Sequence, residues 1–158
     1  EVSRDSFNVM VGQSFGSVAG IILIVAAGGG FKQTLVDSGI GDVIANSITE
    51  SAMNPLIAGW LVAVLIRLAT GSATVATVTA SGIMVPLATG MNPTHLALLV
   101  LAIGAGSVFF SHLNDAGFWL VKEYFGMTVG QTLKTWSLME TILSVVGLGC
   151  VMLLSLVL

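Results

Sequence analysis

From Leu68 to Asn114 the chain runs for 47 residues without an aspartate, glutamate, lysine or arginine. Soluble domains carry about 25% charged residues, so a run of this length belongs where water is scarce. Two further uncharged runs, Phe7 to Phe31 and Thr141 to Leu158, span 25 and 18 residues, and a membrane helix needs about 20 apolar residues. Across all 158 residues only 8% are charged and the mean hydropathy is +1.00. These features predict an all-α, polytopic membrane protein.

Apolar segments continue to the last residue, unlike the single early block of a signal peptide. A bundle of this size seldom encloses a polar path alone, so the chain, which starts on Glu1, is expected to be a piece of a longer protein. Cys150 is the one cysteine, which excludes an internal disulfide and a thiolate cluster. A scattered net charge of -3 gives no sign of a nucleic-acid partner.

The first span is expected over residues 9–27, with Gly12, Gly16 and Gly20 on one close-packing face. Gly28 to Gly30 interrupts it. Residues 31–51 follow as an interfacial helix, because Ile40, Val43, Ile44 and Ile48 share a face among acids. Then Met53-Asn54-Pro55 recurs as Met91-Asn92-Pro93, and both copies read as helix starts, with Asn as cap and Pro in the first turn.

Between those starts lie two apolar arms, Leu56 to Ala69 and Ser72 to Leu87, meeting at Thr70-Gly71. At 1.5 Å per residue they reach roughly 21 to 24 Å, short of the roughly 30 Å hydrocarbon core. One long bent helix and a re-entrant hairpin both fit; weak helix formers at the joint and matching starts favour the hairpin, over residues 54–88. Residues 93–124 read as a broken span loosened at Gly104, Gly106 and Ser107, and residues 137–158 as the last span. Arg4 and the Lys122 to Lys134 loop hold three of five cations and are placed inside.

Three groups need a reason for their position. Thr70, Thr74, Thr77 and Ser81 are spaced as a hydroxyl stripe that can serve a polyhydroxy solute or bond back to its own helix. Arg67, one turn before the tip, must find a partner: Asp115 or another acid on the structural reading, an anionic substrate on the functional one. Irregular backbone at that depth survives only inside protein or beside water, and the free N–H groups of the second arm favour an anion.

SHLND, Ser111 to Asp115, is the other costly cluster. Asp115 can alternate between protonated and ionised forms, and His112 titrates in the physiological range, so both are candidates for proton coupling; the structural alternative is that they bond to each other and pin the break. His95 reads as an interfacial helix-start residue. Enzymatic signatures are poor: Ser111, His112 and Asp115 are too close in sequence to converge as a triad, TASG and GAGS depart from Gly-x-Ser-Gly, and two distant histidines make no metal site. No cofactor is implied.

RLATGSATVATVTASGIMVPL, GAGSVFFSHLNDAGFWLVKEYFGMT and TLKTWSLMETILSVVGLGCVMLLSLVL resemble the C-terminal third of the gluconate permease family, gluconate:proton symporters of the bacterial inner membrane. The resemblance implies the broader ion transporter superfamily, with two inverted repeats, each holding a re-entrant hairpin and a broken helix, and usually a homodimer. Residues 1–158 would then be the second repeat. The tip Thr70-Gly71-Ser72-Ala73-Thr74 lacks the Asn of the Ser-Asn-Thr tip in dicarboxylate-carrying relatives, which implies proton rather than sodium coupling.

The expected function is uptake of gluconate or a related sugar acid with a proton. Its carboxylate would meet Arg67 and the hairpin's helix N-terminus, including Gly71, and its hydroxyls Thr70, Ser72, Thr74 and Asn114, with Asp115 and His112 coupling the proton. D-serine or a keto-deoxy sugar acid is the alternative substrate within the family, and an intramembrane hydrolase is the alternative of another class.

Overall fold

The computed structural model describes residues 53–158 continuously and, before them, residues 3, 4, 6–13, 15, 26, 30, 33, 34, 37–39, 43, 46, 47 and 50. Most of the expected first span and interfacial helix, including Gly16, Gly20, Ile40, Ile44 and Ile48, lies outside the described residues.

From Met53 onward the architecture is all-helical, and every helix except the short α3 starts on a side-chain cap. Helix α1 is Pro55–Thr70, where Asn54 accepts from the Leu56 N–H and Pro55 occupies the first turn. Helix α2 is Ala73–Ile83, capped by Ser72, and a short α3, Val85–Ala88, continues it past Met84. Helix α4 is Pro93–Ser107, capped by Asn92 as α1 is by Asn54. Helix α5 is Ala116–Tyr124, capped by Asp115. Helix α6, Val129–Leu154, opens on a capping box between Thr128 and Gln131 and contains a π-helical turn at Leu133–Ser137. Ser, Thr, Asn and Asp at these positions satisfy N–H groups that a helix start leaves open.

Helices α1 and α2 are joined by Gly71 and Ser72 alone and fold back on each other, so that Met84, past the end of α2, comes near Gly59 at the start of α1. The reversal depends on Gly71, whose φ of 69° is left-handed and whose N–H closes the helix onto the Arg67 carbonyl. Helix α4 lies against α1 with little room between backbones. A Cβ on Gly106 would collide with the Trp60 carbonyl and come within 2.9 Å of the Ala63 Cβ. Small residues in register provide this close approach where lipid supplies no hydrophobic drive for helix association.

Leu56, Ala63, Met84, Leu99, Ala102 and Ile103 lie at the centre of the core, and Val151 of α6 joins them. Trp60 locks the layers together by stacking edge-on against Phe109 at 5.8 Å and donating to Ser144 of α6 at 3.0 Å.

Among the described residues α6 is the one helix long and apolar enough to cross a membrane. It begins at Val129, eight residues before the expected 137, because the π turn lets the chain pass Trp136 and Ser137 without a break. Helices α1, α2 and α4 are apolar but have 16, 11 and 15 residues, or roughly 17 to 24 Å at 1.5 Å per residue.

Candidate functional site

Two interruptions of helix meet at one place. The first is the α1–α2 reversal at Gly71; the second is the stretch between α4 and α5, residues 108–115, where Phe110 takes a left-handed φ of 44°. The Asn114 side chain donates to the Leu68 carbonyl at 2.9 Å. The backbones are so close that a Cβ on Gly71 would strike the Asn114 carbonyl.

Arg67 is at the centre. It is 4% exposed, its Nη2 pairs with the Asp115 carboxylate at 2.5 Å, and its Nη1 donates to the Gly71 carbonyl at 2.5 Å. The same Asp115 oxygen accepts from the Ser111 hydroxyl, and the other accepts from the Gly117 N–H at 2.8 Å. The π turn of α6 presents Trp136 and Ser137 to Ser111: Trp136 Nε1 donates to its hydroxyl at 2.9 Å, and the Ser137 hydroxyl donates to its carbonyl. Single-turn π insertions often occur at functional sites because they re-aim side chains. Arg67 Nε is buried and finds no acceptor.

A cavity of about 590 Å³ opens over this network, within the roughly 300–1,000 Å³ of small-molecule sites. Of the expected site residues, Arg67, Thr70, Gly71, Ser72, Thr74, Asn114 and Asp115 all line it. His112 does not line it: its ring stacks on Phe110 at 5.5 Å with Nδ1 3.2 Å from the Phe110 carbonyl. Its tie to Asp115 is through backbone alone, the Asp115 N–H donating to the His112 carbonyl at 2.8 Å.

The hydroxyl stripe is split by Gly71. Thr70 donates to the Ile66 carbonyl of α1 and Thr77 to the Ala73 carbonyl of α2, so both bond back to their own helices. Thr74 lines the cavity and is exposed, while Ser72 accepts from the Val75 N–H at 3.3 Å.

Trp136 and Glu140 also line the cavity, both from α6; the sequence suggests only a membrane-interface position for Trp136, and Glu140 was not among the expected site residues. The signal for Glu140 was present, since it is the one acid in the apolar stretch from Trp136 to Leu158 and an intramembrane acid is a functional candidate by default.

The Arg67 end of the cavity favours negative charge. Helices α2 and α5 both begin at it, with Ala73 and Ala116 in its lining, and helix N-termini offer unpaired N–H groups and a partial positive charge. With Arg67 these make an anion-favouring corner, and Asp115 is the anion that now occupies part of it. Ser111 is not paired with His112: its hydroxyl is bonded to Asp115 and Trp136, and the His112 ring faces Phe110.

Residues 1–157 match the GntP family permeases. The chain is 57% identical over 149 residues to a gluconate permease of Pseudomonas aeruginosa, which covers 94% of this chain and 33% of the relative. It is 52% identical over 141 residues to the Gnt-II system L-idonate transporter of Escherichia coli, covering 88% and 31%, and 50% identical over 154 residues to a high-affinity gluconate transporter of the same organism, covering 96% and 34%. The chain therefore spans about a third of the length of the curated relatives it matches. No solved structure matches it. A membrane-length helix, short apolar helices interrupted around a buried arginine and close identity along nearly the whole chain agree: the chain belongs to the GntP family of permeases.

Proposed function

We propose that the chain forms one half of the substrate path of a sugar-acid:proton symporter of the bacterial inner membrane. The observation that carries this reading is the buried Arg67, with an unsatisfied Nε, in a cavity where two helix N-termini converge. Interrupted helices whose N-terminal halves point at an anionic group are a recurring transporter device. The names of the relatives, for gluconate and for L-idonate, supply the substrate class: a six-carbon acid with one carboxylate and several hydroxyls.

In this reading the substrate carboxylate is drawn to Arg67 and to the N-terminus of α2, just past the reversal at Gly71. Its hydroxyls meet Thr70, Ser72, Thr74 and Asn114. Helices α1 and α2 act as a re-entrant hairpin over residues 54–88, and residues 93–124 as a broken span. Residues 1–158 serve as the second of two inverted repeats in a permease that works as a homodimer. Asp115 holds Arg67 while the site is empty. For Asp115 to take the coupled proton, Arg67 must first exchange Asp115 for the substrate; His112 would act from outside the cavity lining.

Uptake of labelled gluconate by cells expressing the permease tests the substrate assignment. Arg67→Gln removes a charge-assisted contact of roughly 1.5–3 kcal/mol, so KM should rise about tenfold or more. Unchanged uptake kinetics would remove Arg67 from the substrate site. Competition by L-idonate but not by D-serine is the expected outcome; a keto-deoxy sugar acid that competes better than gluconate would shift the substrate within the family.

A further inference from the structure

We propose that Glu140 carries the coupled proton, with Asp115 as the fixed counterion of Arg67. This inference rests on the symport reading above and names the group that performs its coupling step.

The inward face of α6 places Glu140 in the site. Trp136 and Ser137 reach Ser111 on one turn, and Ser144 receives the Trp60 indole two turns later. Glu140 sits between them, at the spacing that keeps side chains on one helix face, and it lines the same cavity as Arg67 and Asp115. Among the described residues those two are the titratable or charged groups that line the cavity with it, Arg67 from α1 and Asp115 from the start of α5. Helix α2 and its cap bring no titratable side chain to the lining; their polar side chains there are the hydroxyls of Ser72 and Thr74. On α4 the one titratable side chain is His95, held by Asn92 at the opposite end from the cavity. Lys122 and Glu123 are paired with each other at 2.6 Å, Lys134 is exposed, and His112 is turned to Phe110.

The two acids of the cavity differ in what holds them. Asp115 accepts from Arg67, Ser111 and Gly117, so a proton placed on it strands the positive charge of a buried arginine. Glu140 is held by no hydrogen bond or ion pair among the described residues. A proton placed on it strands nothing.

Charge balance then links the proton to the substrate. Arg67 and Asp115 cancel, leaving Glu140 to make the empty cavity negative. An entering sugar-acid carboxylate would double that charge in surroundings of low dielectric, where repulsion between like charges is strong. Uptake of one proton by a Glu140 carboxylate oxygen, from water on the side of higher proton potential, restores the original balance. After the substrate departs on the other side, the O–H bond breaks and the proton returns to water there, with no change of oxidation state.

The test uses the full-length permease in proteoliposomes, with two measurements on labelled gluconate: accumulation driven by an imposed pH gradient, and exchange against internal gluconate at equal pH. Glu140→Gln should lose gradient-driven accumulation yet exchange at a rate within about threefold of the parent, and Glu140→Asp should recover part of the accumulation. Gradient-driven accumulation by Glu140→Gln equal to the parent's overturns the proposal. So does loss of exchange in both variants, since that marks a binding or folding role. A parent permease that exchanges gluconate but ignores the gradient overturns the symport reading and this inference together. One that moves no gluconate overturns the substrate assignment alone, and the same comparison is then made with L-idonate.

Discussion

Arg67 and Asp115 constrain each other, and their substitution effects should not add. Removing one member of a buried ion pair leaves the other uncompensated and typically costs about 3–5 kcal/mol. Asp115→Asn is therefore expected to lower the detergent-solubilised permease's thermal stability more than the double variant Arg67→Gln with Asp115→Asn, which leaves no buried charge alone. Thermal unfolding of the four species of this cycle gives the coupling energy. Additive losses would show that the pair at 2.5 Å does not operate as a unit. Transport separates the roles further: the double variant should regain stability without regaining gluconate uptake.

At the scale of helices, the site exists because two breaks share one backbone contact. Gly71 has both a left-handed φ and no room for a Cβ against Asn114. A non-glycine residue forced into such a conformation costs on the order of 1–3 kcal/mol, and the collision with Asn114 adds displacement of the second break. Gly71→Ala should consequently reduce uptake of labelled gluconate more severely than Gly130→Ala, where nothing lies within 4 Å. Equal activity of the two variants would disconnect the reversal from the site.

For the whole molecule, the proposed hairpin makes a prediction about access. If α1 and α2 stop partway across the bilayer, Ser72 stands at a water-filled tip reached from one side. A Ser72→Cys variant in a cysteine-free background should react with a membrane-impermeant thiol reagent applied from outside, and gluconate should slow that reaction. Cys150, restored as the single cysteine of that background, lies within α6, the membrane-length helix, and should stay unreactive to the same reagent. Labelling of Ser72→Cys from the cytoplasmic side alone would reverse the assigned orientation.

Much of this organisation was legible in the residues themselves. The uncharged runs imply membrane helices, and the two Met-Asn-Pro starts mark α1 and α4 because Asn caps and proline act locally, through their own backbone. Gly71 was legible for the same reason: the need for a left-handed conformation is a property of one residue and its neighbours. Glu140 and the π turn beside Trp136 were not, because an acid on an apolar helix acquires meaning only from what its face is turned toward. Nor could spacing say which of two partners holds Arg67, since Asp115 is 48 residues away. Local chemistry, acting over one or two helical turns, determined where helices begin and end. Only the tertiary structure decided which interrupted ends meet, and with them which charges cancel, because ion pairing depends on distance in space and not along the chain.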